Sequence, residues 1–244
     1  MFVHIVDAGW EKPAMPLPLI IGHRGVSGHA LENSLTAFRL ATSPGRWQCD
    51  AVELDVHVTA DGELVVHHDD QLSTGEVIST LTLDRLRRHS LADGFPPPTL
   101  REALDVLGDL TVFVEVKALP AAADATLIAL IRPNGATFRR QVHSFDHRII
   151  ARLHRQAPDL SLGVLSCSRP LDPVGPVLQA GAAVLWQESH LIDQELVDQC
   201  QAHEVGVIAW TVNDPAEADA LRAMGVMGLC GNWPERLRPA SNRG

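Results

Sequence analysis

No apolar run in this 244-residue chain approaches the roughly 18–20 residues that cross a bilayer, so no transmembrane segment is expected. Residues 1–18 also lack a basic stretch followed by a long apolar one. Their hydrophobics are interrupted by Asp7, Glu11, Lys12 and several prolines. No secretory leader is expected, and the chain reads as soluble and cytoplasmic. Positive charge is in short supply, with 20 Lys and Arg against 30 Asp and Glu and a net charge of -10. That balance excludes a broad nucleic-acid or anionic-membrane surface, yet permits a small anionic substrate, because local charge and any metal decide there. Cysteine is sparse: Cys49, Cys167, Cys200 and Cys230 form no C-x-x-C pair and no zinc-finger spacing. They are expected as buried free thiols, in keeping with a reducing compartment. Low-complexity segments and linkers are absent, and no feature of the sequence specifies an oligomeric state.

What is present is a core-forming chain, 45% hydrophobic with a mean hydropathy of +0.03. Short β-branched runs alternate with amphipathic stretches throughout. Strands are expected at 19–21 (ending at Gly22), 51–58, 64–67, 111–116, 140–143, 160–165, 182–185, 205–210 and 228–230. Helices are expected at 33–41, 99–107, 121–131 (stopped before Pro133), 146–156, 174–180, 192–203 and 215–224, the last with proline at its start. Most of the strands are continuous apolar runs, as parallel strands covered by helices require. About eight β/α units imply a TIM-type (β/α)8 barrel in one domain over 1–244. A doubly wound sheet is the alternative. Charged residues ending several different strands favour the barrel, whose closure brings those ends to one mouth.

Three polar segments end apolar runs: His23-Arg24-Gly25, Glu53-Leu54-Asp55 and His67-His68-Asp69. Glu53 and Asp55, two apart on a strand, share one face, and Val52, Leu54 and Val56 share the other. Two adjacent carboxylates repel unless a cation sits between them, and a hard divalent ion would neutralise both. Solvated strand-end carboxylates are the plainer alternative. Glu115 and Lys117 repeat the geometry on the next long strand: Glu115 could complete a cation site and Lys117 could hold a phosphate oxygen, or the two could form only an intrastrand ion pair. Arg24 beside a glycine suits bidentate phosphate binding. His67 and His68 face opposite ways, so one of them reaches a site shared with His23. Two histidines flanking a phosphate supply a base and an acid.

These segments resemble the glycerophosphodiester phosphodiesterase family. The motifs His23-Arg24-Gly25, Glu32-Asn33, Glu53-Leu54-Asp55-Val56, His68-Asp69, Glu115-Val116-Lys117, Ser144-Phe145-Asp146 and Trp210-Thr211-Val212-Asn213 occur in the family's order, over roughly residues 19–237. The stretch from Pro98 to Leu104 is also similar to the family's lead into its next helix. The resemblance implies a TIM-type barrel with one divalent cation, Mg²⁺ or Ca²⁺, held by Glu53, Asp55 and Glu115. It makes His23 and His68 the acid–base pair, in an order left open, with Arg24 and Lys117 on the phosphate. It selects His68 over His67, because the family's histidine is followed by Asp. Glu32 and Asn33 support or edge the metal site, Trp210 walls the substrate pocket, and Phe145 is either a second wall or core. The implied reaction is hydrolysis of glycerophosphodiesters to glycerol 3-phosphate and an alcohol, with the substrate's own glycerol hydroxyl as the first nucleophile. A phospholipase D-like or sphingolipid-directed enzyme on the same barrel, and a non-catalytic phosphopolyol-binding module, are the other readings.

Three departures from the family stand out. Leu72-Ser73-Thr74-Gly75 follows where an Arg-Thr pair is usual. The stretch from there to Pro98 is short, so the cap insertion is expected to be short or absent. Near the C-terminus Met227 and Gly231-Asn232 replace the family's Asp and Thr-Asp. These changes are expected to bear on the alcohol side and to leave metal and proton chemistry intact.

Overall fold

The computed structural model describes residues 17–132 and 140–239. The expected lack of a leader in 1–16 and the Pro133 helix stop lie outside the described residues. Among the described residues nine strands form: β1 (Leu19–Gly22), β2 (Ala51–Val58), β3 (Leu64–Val66), β4 (Thr111–Val116), β5 (Arg140–Ser144), β6 (Ser161–Ser166), β7 (Val184–Glu188), β8 (Gly206–Trp210) and β9 (Gly228–Gly231). Their order is β1-β9-β8-β7-β6-β5-β4-β2-β3, and β1 also pairs with β2. Only the β2–β3 pairing is antiparallel; setting β3 aside leaves eight parallel strands closed into a TIM-type barrel. β3 lies on the end of β2 beyond the reach of β1, which pairs only with Ala51 and Val52. The rigid 96–98 proline turn covers the outer edge of β3, where Val66 N–H donates to the Pro98 carbonyl at 2.7 Å.

The helices between strands are α1 (Leu35–Thr42), α2 (Leu83–Leu86), α3 (Leu100–Leu107), α4 (Asp124–Ile131), α5 (His147–Gln156), α6 (Gly175–Gln179), α7 (Gln194–Ala202) and α8 (Pro215–Met224), and α9 (Pro234–Leu237) follows β9. Several begin at side-chain caps: Ser34, Asp146, Asp193 and Asp214 each accept from a first-turn N–H, and Thr99 forms a capping box with Glu102. Such caps let a helix start within a few residues of a strand end and keep the connecting loops short.

Most expected elements fall within one or two residues of the observed ones. The expected helix at 121–131 divides, with a 3₁₀ turn at Ala121–Ala123 followed by α4. Asp124, 1% exposed, opens α4 and is held by Arg152 Nε at 2.8 Å. β7 runs on to Gln187 and Glu188, past the apolar run, because both stay in register with Ala209 and Trp210 on β8. Ladder partners rather than hydropathy end that strand. α2 and α9, four residues each, are too short to write a helical period into the sequence. α2 belongs to the small ordered region after β3, whose own apolar cluster joins Val65, Leu72, Ile78, Leu81 and Leu86. Of the four cysteines, Cys49, Cys200 and Cys230 are buried, and Cys167 is exposed, contrary to expectation.

Strand alternation divides the core in two. Outward-facing Val52, Leu54, Val56, Val112, Val114 and Val116 pack with Phe38, Leu104 and Ile150 from the helices. Inward-facing Ile21, Ala51, Phe113, Leu165, Trp186, Ile208 and Cys230 fill the barrel. Trp186 is fully buried at the centre. Beside it the inner face turns polar toward the strand C-termini: Ala51 gives way to Glu53 and Asp55, Phe113 to Glu115, and Gln141 to His143.

Candidate active site at the C-terminal mouth of the barrel

Register sets the floor of the mouth. Asp55 on β2 is opposite Glu115 on β4, and Glu115 is opposite His143 on β5. Parallel pairing therefore lays three polar side chains in a row, with Glu53 one inward position below Asp55. Glu53, Asp55, Glu115 and His143 are 2%, 1%, 8% and 1% exposed. Three carboxylates this close and this dry are acceptable only with positive charge beside them.

Two cations provide part of it. Lys117 Nζ lies 2.9 Å from Asp55 Oδ1 and 2.7 Å from Glu115 Oε1, so the intrastrand ion pair exists and extends to β2. Arg24 Nε lies 3.2 Å from Asp55 Oδ2, and its Nη1 donates to both oxygens of Glu32 at 2.9 and 2.8 Å. Arg24 reaches this position through a turn of unusual backbone: its φ is 54°, and that of Gly25 is 82°. At Gly25 a side chain would be both strained and 2.8 Å from Ala37 Cβ. The turn also aims the Arg24 N–H at Glu53 Oε2, at 3.0 Å. Asn33, itself at φ 56°, donates from its side chain to Asp55 Oδ2 at 2.8 Å and accepts from the Asp55 N–H at 3.2 Å. Glu32 thus steadies Arg24, and Asn33 steadies Asp55.

The electrostatic consequences differ among the carboxylates. Burial pushes Asp55 up, but Lys117 and Arg24 outweigh it and hold it at about 2. Burial and then the neighbouring Asp55 push Glu115 up to about 7. Glu53 is driven well above the usual range by burial, then by Asp55 and Glu115, and its Oε1 is buried without a hydrogen-bond partner. Carboxyl groups outnumber cationic side chains at this point. An oxygen-rich, electron-rich pocket of this kind fits a divalent cation.

His23 follows β1 with Nε2 4.0 Å from Glu53 Oε2. Its Nδ1 is 2.7 Å from Asn232 Oδ1, which also accepts from Ser27 Oγ at 3.1 Å. A carbonyl oxygen at that distance places the hydrogen on Nδ1 and leaves Nε2 as the basic nitrogen. Burial, then Arg24, lower the His23 pKa to about 4. Asn232 is itself positioned by Asn213, whose side-chain oxygen accepts the Asn232 N–H at 3.0 Å. The departure at Gly231-Asn232 therefore lies against His23.

His68 sits higher on the rim. Its Nδ1 is 2.8 Å from Asp69 Oδ1, and its carbonyl is 3.1 Å from His57 Nε2. Among the described residues it makes no hydrogen bond or ion pair to the carboxylate floor. His57, inward-facing at the end of β2, joins that strand to the His68 loop. The adjacent His67 turns its Nδ1 to the Asp69 carbonyl at 2.9 Å. Phe145 and Trp210 meet edge to face with centroids 5.6 Å apart, and Phe145, 44% exposed, is not part of the core. Ser144 sets the Phe145 corner: its hydroxyl donates to the Val116 carbonyl at 2.7 Å and accepts from the Asp146 N–H at 3.1 Å.

Sequence reasoning passed over His57 and His143. His143 and Gln141 have the parity of a strand's inner face, which was the one available signal. Asn232 stood out in the sequence only as a departure, and its contact with His23 comes from the opposite end of the chain.

A closed parallel barrel with histidines, carboxylates, an arginine and a lysine gathered at its C-terminal mouth suits a phosphoric diester hydrolase. Residues 23–236 match the model of the glycerophosphoryl diester phosphodiesterase family, and the chain belongs to that family. A glycerophosphodiester phosphodiesterase of Caldanaerobacter subterraneus is 31% identical over 235 residues, covering 90% of this chain and 96% of that protein. A structure of an Oleispira antarctica phosphodiesterase in complex with the product sn-glycerol-3-phosphate superposes with a TM-score of 0.81, at 25% identity over 91% of this chain and 95% of that one. A putative glycerophosphoryl diester phosphodiesterase from Silicibacter pomeroyi gives 0.79 at 26% identity, covering 91% and 92%. Among the described residues no helix is long and apolar enough to cross a membrane.

Proposed function

We propose that this protein is a cytoplasmic, single-domain, divalent-cation-dependent enzyme that hydrolyses glycerophosphodiesters to glycerol 3-phosphate and an alcohol. The observation that carries the reading is the meeting, within one mouth, of the Glu53-Asp55-Glu115 cluster with Arg24, Lys117 and a neutral, oriented His23. Glu53, Asp55 and Glu115 would hold the ion, Mg²⁺ or Ca²⁺. When bound, it offsets charge that develops on the phosphoryl oxygens. Arg24 and Lys117, already aligned by carboxylates, turn to the phosphate oxygens as substrate arrives. Glu32 and Asn33 keep Arg24 and Asp55 in place, and Trp210 with Phe145 bounds the organic part of the substrate.

His23 Nε2 takes the proton of the glycerol hydroxyl as its oxygen attacks phosphorus. The bond from phosphorus to the leaving alcohol breaks, and His68 protonates that oxygen. The cyclic phosphate is then opened by water, with the two histidines exchanging roles and returning to their starting states.

The test is a phosphodiester panel, glycerophosphocholine and lysophospholipid included, run with Mg²⁺, Ca²⁺, Mn²⁺ or chelator on wild type, His23→Ala and His68→Ala. Glycerol 3-phosphate release that needs a cation and falls at least ~100-fold in each folded variant is expected. Wild-type turnover in either variant, or in chelator, would overturn the assignment.

A further inference from the structure

His143 has no part in the reaction just described, yet it lies on the floor of the same mouth. Ligand-capable atoms of Glu53, Glu115 and His143 all fall within 4.8 Å of one another. Two ligands on opposite sides of one ion, each at ~2.2–2.4 Å, stand about 4.4–4.8 Å apart, so this spread is that of a single coordination sphere. His143 is 1% exposed, and its Nδ1 is buried with no hydrogen-bond partner, as is Glu53 Oε1. Buried polar atoms are normally satisfied, and His143 and Glu53 each leave one without a partner.

The ring is also held rigidly. It stacks on the Trp186 indole with centroids 4.1 Å apart and planes 7° from parallel. Trp186 Nε1 donates to Gln141 Oε1 at 3.0 Å. Gly163, opposite His143 in register, leaves the indole its room: a Cβ there would be 3.0 Å from Trp186 Cδ1. An imidazole clamped in this way cannot swing out to find water.

We propose that His143 supplies a ring nitrogen to the cation, beside Glu53 and Glu115, and that this mixed donor set gives the site a preference for Mn²⁺ and related transition ions over Mg²⁺ and Ca²⁺. This rests on the reading that the mouth holds a divalent cation. Imidazole suits transition ions, whereas carboxylate and water suit Mg²⁺ and Ca²⁺, so one nitrogen ligand shifts the order of affinities.

Pulsed EPR of the Mn²⁺-loaded protein reads the ligand directly. Wild type is expected to show the nitrogen coupling of a bound imidazole. His143→Gln should lose that coupling, and His23→Gln should keep it. By titration His143→Gln should lose Mn²⁺ affinity by about 10- to 100-fold, and Mg²⁺ affinity by less than about threefold. Bound Mn²⁺ without nitrogen coupling in wild type overturns the proposal, as does coupling that survives His143→Gln or disappears with His23→Gln. Equal loss of both ions overturns the stated preference. If His143→Gln does not fold, the wild-type and His23→Gln spectra still decide. Failure of wild type to bind any divalent ion would instead remove the underlying cation site.

Discussion

Asn232→Asp should move the acidic limb of the pH–rate profile upward. The Nδ1 of His23 faces the Asn232 side-chain oxygen at 2.7 Å, and the imidazole pKa is held at about 4. Aspartate keeps the acceptor and its shape while adding a full negative charge. At a charge separation of roughly 4 Å and an effective dielectric of about 20, the attraction to the imidazolium is about 4 kcal/mol, or about three pK units. Desolvation of the new carboxylate offsets part of this, leaving an expected rise of about one to three units. The sign follows from the charge: a carboxylate favours the protonated ring, so less His23 is free to act as base at low pH. Activity should fall at pH 5 relative to wild type and be retained at pH 8. The assay is kcat/KM against pH for both proteins, with NMR titration of the His23 ring as a second readout. The same group governs acid stability. Because its folded pKa lies below the unfolded value of about 6.5, its contribution is complete above that pH and is lost as pH falls toward 4. An acid limb that stays in place or moves downward in Asn232→Asp, with the NMR titration agreeing, would refute the hydrogen-bonded pairing.

Two further outcomes follow from the core and from the crowded carboxylates. Trp186→Ala removes the fully buried barrel plug and should cost about 3–5 kcal/mol in urea denaturation, and a loss under 1 kcal/mol would contradict the packing described. In the metal-free protein Glu115 is raised to about 7, so its protonated form supports the fold at low pH and that support is lost as pH rises through 7. The rise in Tm on adding Mg²⁺ should therefore be several-fold larger at pH 8 than at pH 5, and an equal rise at both would show that the ion does not compensate these carboxylates.

Much of the fold was legible in short segments, because local periods and caps reflect local physics. Strand parity alone put Glu53 with Asp55, and Glu115 with Lys117, on inner faces. The helix at 99–107 was expected within a residue of α3. The elements that escaped notice lacked such a local signature: α2 and α9 are shorter than the period that would reveal them, and the end of β7 depends on β8. Within the site, Asn33 and Glu32 were legible as supports, but their separate targets, Asp55 and Arg24, follow from the left-handed turn at Arg24 and Gly25.

The sequence by itself determined which residue types stand at the strand ends, which faces they share, and so the family and the chemistry open to the chain. Tertiary structure decided which of those groups meet. The β2–β4–β5 register, a long-range property, aligned Asp55, Glu115 and His143, and barrel closure through β9 carried Asn232 back to His23. Neither can be read from neighbours in sequence, because pairing register is set by packing between strands far apart in the chain.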